Sequence, residues 1–147
     1  MLWKLVTAFT LMAICVVIHA SSVTSAMRWA RTHSSSPAEM EYLARIWLFV
    51  RIAGWIITFH LLEICVWATF YWWKGALPDL PTSIYFSAVT YTTTGYGDLV
   101  LPADWRLVGA IEALTGILMC GWSTGFFFAV VSGLERLPRR TPRGPES

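Results

Sequence analysis

Six consecutive residues in the second half of the chain have the types and spacing needed to hold a cation with backbone oxygens: Thr93-Thr94-Gly95-Tyr96-Gly97-Asp98. A cation that sheds its water needs oxygen atoms to replace it, and successive carbonyl groups of a loop can supply them. Such carbonyls point the same way only if the backbone alternates between conformations that most residues resist and glycine accepts. Gly95 and Gly97, two residues apart, favour a loop of this kind.

Three apolar blocks elsewhere in the chain are long enough to place this loop in a membrane. Of the 147 residues, 56% are apolar and 14% are charged, whereas a soluble domain carries about 25% charged residues. Residues 5–27 contain no acid, lysine or arginine, and residues 52–73 and 107–134 contain one acid each, Glu63 and Glu112. A membrane-spanning helix needs about 20 mostly apolar residues. We therefore expect three spans and exclude a water-soluble monomer.

Residues 81–92, directly before the loop motif, are predicted to form a short helix. Pro81 suits the first turn of a helix, and Asp79 precedes it near the positive helix end. A helix of about 11 residues is roughly 16 Å long, which is too short to cross a bilayer. Non-helical backbone at membrane depth is tolerated only where protein buries it or it lines a water-filled cavity. The sequence therefore predicts a re-entrant helix and loop that belong to a pore.

The motif, placed between two spans and after a short aromatic helix, resembles the selectivity filter of potassium channels. The resemblance covers about residues 46–134 as outer helix, pore helix, filter and inner helix. It implies an all-α integral membrane protein with three transmembrane helices plus a re-entrant pore helix and selectivity-filter loop. It also implies a homotetramer in the lipid bilayer that conducts K⁺ passively, is not an enzyme and needs no cofactor besides the permeant ion. The oxygens that hold K⁺ would be the carbonyls of Thr93, Thr94, Gly95 and Tyr96.

The resemblance also assigns roles to the residues around the filter. Tyr96 is expected to turn away from the axis and pack against Tyr85, Phe86 and neighbouring subunits, and Asp98 to add negative potential at the outer mouth. The family most often has valine where this chain has Thr94, whose hydroxyl needs a hydrogen-bond partner. Two alternatives to a K⁺-selective channel stay open: a non-selective cation channel, and a channel-like membrane protein that acts as a regulatory or assembly subunit.

Glycines and one helical stripe single out parts of residues 107–134, the expected inner helix. In the family a glycine near the middle of this helix acts as a gating hinge, and Gly116 or Gly121 matches that position. Close packing explains the glycines equally well, since Gly121 and Gly125 have the spacing that lets membrane helices approach. The stripe expected to line the cavity consists of Ile117, Cys120, Thr124 and Phe128.

Three ionisable residues within the spans form a further candidate site. His60 and Glu63 are three residues apart on one helix face, and Glu112 lies four residues before Gly116. Such groups are costly in lipid and indicate a function by default, here a pH-sensitive contact between two helices. The alternative, which we favour, is a satisfied hydrogen-bond network that holds the inner helix to its neighbours.

Arginines predict the orientation of the spans. With the N-terminus outside, eight arginines face the cytoplasm, against Lys4, Lys74 and Arg106 outside, which is the asymmetry expected of a protein in the cell membrane, plasma or inner. A cleaved signal peptide is less favoured for the first block because its apolar run exceeds the usual ~7–15 residues. Arginines and aromatics lie at span ends, so we expect no nucleic-acid partner. The predicted segments are an N-terminal transmembrane helix at 1–27, a cytoplasmic linker at 28–45, an ion-channel pore domain at 46–134 and a disordered basic cytoplasmic tail at 135–147.

Overall fold

Four α-helices make up nearly all of the computed structural model, which describes residues 2–33 and 42–135. In chain order they are α1 (Leu2–His33), α2 (Tyr42–Trp73), α3 (Leu80–Tyr91) and α4 (Arg106–Glu135), with a short 3-10 helix at Ala103–Trp105 before α4. Three of them contain stretches long and apolar enough to cross a membrane: Leu2–Arg28, Tyr42–Trp73 and Ala103–Ser132. The predicted all-α membrane fold with three spans is confirmed.

The cytoplasmic linker predicted at residues 28–45 does not coincide with the connection between α1 and α2. α1 continues to His33 and α2 begins at Tyr42, so both described ends of the predicted linker 28–45 are helical. The middle of that linker, residues 34–41, and residues 136–147 of the predicted tail lie outside the described residues. The long helices follow from the unbroken apolar sequence on either side, because a helix satisfies all of its backbone polar groups internally.

The first helix packs against both α2 and α4 of the same chain. Its buried residues lie at helical spacing on one face and are mostly small: Ala8, Cys15, His19 and Ser22, each at most 4% exposed. Small side chains let membrane helices approach closely, which compensates for the lack of a hydrophobic driving force in lipid. α1 is therefore an integral part of the subunit and not a detached anchor.

The short helix α3 lies between α2 and α4 and packs mainly on α2. The ring of Phe86 meets the ring of Tyr71 edge to face, with centroids 5.4 Å apart. On the other side, Gly116 of α4 contacts the backbone of Tyr91, the last residue of α3. The two long helices thus fix both the middle and the end of the short one.

The start of α1 lies at the same end of the molecule as the return from the loop to α4. Lys4 Nζ is 3.3 Å from Asp104 Oδ2 and 4.5 Å from the ring centroid of Trp105. The ring of Trp3 also packs edge-on against Trp105. Exposed ion pairs stabilise little, but this contact places the N-terminal end of α1 beside the segment that returns from the loop to α4.

Candidate functional site

The N-terminus of α3 is capped by the residue that the sequence places there. Asp79 has extended backbone angles, and its Oδ1 accepts a 2.7 Å hydrogen bond from the backbone N–H of Thr82. Pro81 occupies the first turn, where the missing N–H costs nothing. The hydrogen bond from Thr82 lowers the pKa of Asp79. The cap therefore fixes the residue at which the short helix begins.

The backbone after α3 folds back onto the end of the helix. Thr93 N donates to Thr90 O at 2.9 Å, and the amides of Thr94 and Gly95 both donate to Val89 O, at 3.0 and 3.2 Å. These N–H groups are therefore used inside the subunit. The carbonyl in each of these trans peptides belongs to the preceding residue and points away from its N–H. The carbonyls of Thr92, Thr93 and Thr94 therefore point away from α3 and remain available as ligands.

Every second residue of the loop adopts a left-handed backbone conformation. The φ angles are +59° at Thr93, +55° at Gly95 and +79° at Gly97. Glycine adopts this region freely, whereas a β-branched residue such as threonine does so at a cost of about 1–3 kcal/mol that surrounding structure must offset. Strain of this kind persists at functional sites, and here it falls on the first residue of the six-residue motif.

The hydroxyl of Thr94, which replaces the family's usual valine, has a partner behind the loop. Its Oγ1 lies 3.0 Å from Thr92 Oγ1, and Thr92 Oγ1 itself donates to Ala88 O at 2.7 Å. Because the Thr92 proton is used toward Ala88, Thr94 is the donor in the pair. The extra hydroxyl is thus connected to the last turn of α3 and need not point toward the carbonyl side of the loop.

Asp98 at the end of the motif is held by Tyr85 and not by an acid. The Tyr85 hydroxyl donates to Asp98 Oδ2 at 2.6 Å, and this hydrogen bond raises the pKa of Tyr85 above its usual value near 10. Phe86, the other expected filter support, faces away and packs on α2 and Gly109. Tyr96 is 72% exposed in the single subunit, so its expected packing against neighbouring subunits stays a prediction.

The inner helix presents one face to α1 and α3 and leaves the other uncovered. All four residues of the expected cavity stripe are exposed in the single subunit: Ile117, Cys120, Thr124 and Phe128. Gly116 is in close contact with Tyr91, while a Cβ atom on Gly121 would meet nothing within 4 Å. Close packing therefore accounts for Gly116, and a hinge at Gly121 stays a prediction.

The family model described as "Ion channel" matches residues 45–133 of this chain. This range runs from the start of α2 to the end of α4 and contains the short helix, the left-handed loop and the uncovered stripe. The chain belongs to the ion channel family. It is a multi-pass membrane protein.

Individual relatives of this ion channel are voltage-gated potassium channels. The chain is 29% identical over 119 residues to human KCNC3, covering 62% of this chain and 16% of that protein. It is 28% identical over 119 residues to mouse KCNC1, with 62% and 23% covered, and 31% identical over 81 residues to rat KCNC4, with 46% and 13% covered. The chain thus spans less than a quarter of these relatives. No solved structure matches it.

One buried carboxyl of the channel joins its inner, outer and pore helices. Glu112 of α4 is fully buried and accepts hydrogen bonds from Tyr71 of α2 at 2.8 Å and from Ser87 of α3 at 2.5 Å. The Ser87 oxygen also lies 3.0 Å from Ile64 O. The sequence singled out Glu112 but neither hydroxyl partner, because serine and tyrosine in a membrane helix give no signal of their own.

The second buried carboxyl of the channel, Glu63, lies with His60 as the sequence suggested, but in a larger group. His19 of α1, Tyr91 of α3 and Ser123 of α4 complete it. The polar atoms of His19, His60 and Glu63 lie within 4.8 Å of one another. Each of them already has a hydrogen-bond partner, so we assign no metal there. A signal for His19 was present in the sequence, since an ionisable residue inside a span is unusual.

Proposed function

We propose that the protein is a potassium-selective channel subunit whose filter is the loop Thr93 to Asp98. The observation that carries this proposal is the left-handed backbone at every second residue, Thr93, Gly95 and Gly97. With the N–H groups of residues 93–95 bonded back to α3, the carbonyls of Thr93, Thr94, Gly95 and Tyr96 can form successive rings of oxygens. Such rings replace the hydration shell of K⁺.

Four copies of the chain are needed because one chain supplies only one side of each ring. Residues 92–98 are exposed throughout in the single subunit, as are the four residues of the cavity stripe. A loop with exposed backbone at membrane depth requires either protein or a water-filled cavity around it. A homotetramer with the loops around a central axis provides both, and the carboxyl end of α3 then presents its negative dipole end to the cation.

The orientation we propose places the N-terminus and the filter mouth outside the cell membrane and the C-terminus in the cytoplasm. Its support is the arginine asymmetry along the sequence together with the contact between Lys4 and Asp104, which puts the start of α1 at the mouth end. Permeant K⁺ is the one ion that this function requires.

Reversal potential in proteoliposomes tests the proposal. The purified full-length protein is reconstituted with a tenfold K⁺ gradient opposed by Na⁺, and we expect a reversal potential close to the K⁺ equilibrium value of about 59 mV. A value near zero would show a non-selective cation channel. No current at any voltage or pH, with tetramers present by native mass spectrometry, would instead indicate a regulatory or assembly subunit.

Two glycine variants sharpen the test. Gly97→Ala places a Cβ on a residue whose φ is +79°, so we expect K⁺ current to be lost while the helices remain folded. Gly54→Ala is the matched control, because it lies within α2, has a helical φ and would meet nothing within 4 Å. Equal currents in the two variants would contradict the assignment of the loop as the filter.

A further inference from the structure

Five side chains from four helices form a closed ring of hydrogen bonds in the middle of the subunit. Glu63 Oε1 lies 3.0 Å from His19 Nδ1, and Glu63 Oε2 accepts from the Tyr91 hydroxyl. His60 Nδ1 lies 3.0 Å from the Tyr91 oxygen. The ring closes at Ser123, whose Oγ lies 3.0 Å from His60 Nε2 and 3.0 Å from His19 Nε2.

The ring sets a condition on protons that follows from the donor inventory alone. Each of the five contacts needs one proton between its two atoms. With Glu63 ionised and both histidines neutral, the five groups carry four: one on each imidazole, one on Tyr91 and one on Ser123. One more proton, either on a histidine or on the carboxyl, fills every contact. The ring is therefore complete only when its net charge is zero.

Loss of the fifth proton affects the contact to the inner helix. An ionised Glu63 keeps the N–H of His19 and the hydroxyl of Tyr91, and the Tyr91 oxygen keeps the N–H of His60. Both Nε2 atoms then lack a proton, and Ser123 can donate to only one of them. At the other contact the lone pairs of Ser123 Oγ and of a histidine Nε2 face each other without a proton. This contact opens, because a buried hydrogen-bonding group without a partner is costly.

We propose that this ring is a proton-dependent tie that holds the inner helix α4, through Ser123, to His19 of α1 and His60 of α2. The tie is closed when the ring carries five protons and open on one side when it carries four. α1 thus takes part in control of the pore. The proposal rests on the channel function above only for its effect on ion flux.

Among the described residues, the side chains that contact Glu63 are His19, His60 and Tyr91, and none of them is a second carboxyl. On α1 the nearby titratable group is the buried thiol of Cys15, and on α4 it is the thiol of Cys120. Glu112, also on α4, is engaged with Tyr71 and Ser87. On α2 and α3 the facing groups are the ring members His60, Glu63 and Tyr91 themselves.

The position of the ring explains why its state would reach the pore. Tyr91 is the last residue of α3, directly before the loop, and its backbone lies against Gly116 of α4. Ser123 lies on the same helix as the cavity stripe, next to Thr124. A change at Ser123 therefore alters the contact between the inner helix and the two helices outside it.

The pH dependence follows from the proton balance of folding. Exposed histidine loses its second proton near pH 6.5, so above that pH the unfolded groups carry four protons, whereas the closed ring that we propose holds five. Folding then takes up one proton, and the folding equilibrium constant falls up to about tenfold per pH unit as pH rises. The stability that the ring contributes is greatest near pH 6.5 and declines on the alkaline side.

Glu63→Gln is the decisive variant because it fills the ring without a titrating carboxyl. The amide oxygen accepts from Tyr91, and an amide N–H donates to His19 Nδ1, so five protons are present at every pH at which the histidines are neutral. We expect the thermal stability in detergent to fall more steeply between pH 7 and 9 for the wild-type protein than for Glu63→Gln, in which only groups outside the ring titrate. The same fall in both proteins would overturn the proposal.

Spectroscopy counts the protons without any ion flux. In a His33→Asn background the two ring histidines are the only ones left in the chain. At pH 8 we expect either one doubly protonated imidazole in ¹⁵N NMR or a protonated carboxyl in the infrared spectrum, lost in a single step as pH rises. Two neutral imidazoles beside a carboxylate at pH 8 would refute the five-proton ring.

Flux measurements connect the ring to conduction. We expect K⁺ flux through the wild-type channel and through His33→Asn to change with pH above 7, by up to about tenfold per unit for a one-proton step. Flux through Glu63→Gln should not change with pH. Tyr91→Phe should resemble the closed, five-proton state at all pH values at which the histidines are neutral, because His60 can then carry its proton on Nε2 and donate it to Ser123. If flux through Glu63→Gln depends on pH, the ring does not control conduction. Absence of flux in every variant would contradict the channel function but not the number of protons in the ring.

Discussion

Gly116 of α4 lies so close to the backbone of Tyr91 that a Cβ atom on residue 116 would be 1.8 Å from the Tyr91 carbonyl oxygen. The inner helix therefore touches the last residue of the pore helix directly, one residue before the loop begins. No side chain, however flexible, relieves a contact between a Cβ and a backbone carbonyl.

Gly116→Ala should destabilise the channel and disturb conduction together. Overpacking of a rigid contact costs about 1–3 kcal/mol, and here either α3 or α4 must move. Thermal unfolding in detergent and K⁺ flux measure the two effects. Gly54→Ala serves as the control: with open space around it and a helical φ, it should stabilise by about 0.5–1 kcal/mol. A stable, fully conducting Gly116→Ala channel would show that the close contact is not maintained in the tetramer.

Thr94→Val should leave K⁺ selectivity intact. The hydroxyl of Thr94 points to Thr92 Oγ1 behind the loop, and valine has nearly the same shape. We expect an unchanged reversal potential under K⁺/Na⁺ gradients and a loss of about 0.5–1.5 kcal/mol in stability from the missing hydrogen bond. A change in the K⁺/Na⁺ permeability ratio would mean that the Thr94 hydroxyl contributes to ion selection.

Tyr85 should titrate above its usual range because it donates to Asp98. The pKa of Tyr85 is raised by this hydrogen bond. A group whose pKa is raised on folding stabilises the folded state below its unfolded pKa, near 10, and this contribution is lost as pH rises through the folded pKa. Tyrosinate absorbance of the wild type, with Tyr85→Phe subtracted, follows the residue. Asp98→Asn should return the titration toward pH 10, and an unshifted wild-type titration would argue against the contact.

Glu112 should matter for stability through its two hydroxyl partners. Glu112→Ala leaves the buried Tyr71 hydroxyl without its acceptor, at about 1–3 kcal/mol, whereas Ser87 can still donate to Ile64 O. Glu112→Gln keeps a carbonyl for Tyr71 and an N–H for Ser87, so its stability should stay near that of the wild type. The pH dependence of the current should persist in Glu112→Gln, because the proton-dependent ring is built on Glu63 and does not include Glu112. Loss of the pH dependence in Glu112→Gln would make Glu112 the sensor.

The sequence by itself determined the class of the protein and the position of the loop with the left-handed residues. Span length and hydropathy are local properties, so residues 5–27, 52–73 and 107–134 predicted the three long helices without knowledge of their contacts. Pro81 and Asp79 marked the start of α3, and both take the predicted positions. The alternating conformations expected at Gly95 and Gly97 are present, since backbone preference for φ above zero is also local.

Only the tertiary structure decided which faces of the helices meet. In lipid, residues that face a neighbouring helix and residues that face the bilayer are both apolar, so periodicity does not distinguish them. His19 and Ser123 are 104 residues apart in sequence and share a hydrogen bond, and no local pattern relates them. The packing of α1 against α4 joins a histidine, a second histidine, a carboxyl, a tyrosine and a serine in one ring. The sequence likewise leaves open whether Gly116 is a hinge or a contact, and the Tyr91 carbonyl beside it accounts for the glycine as a contact.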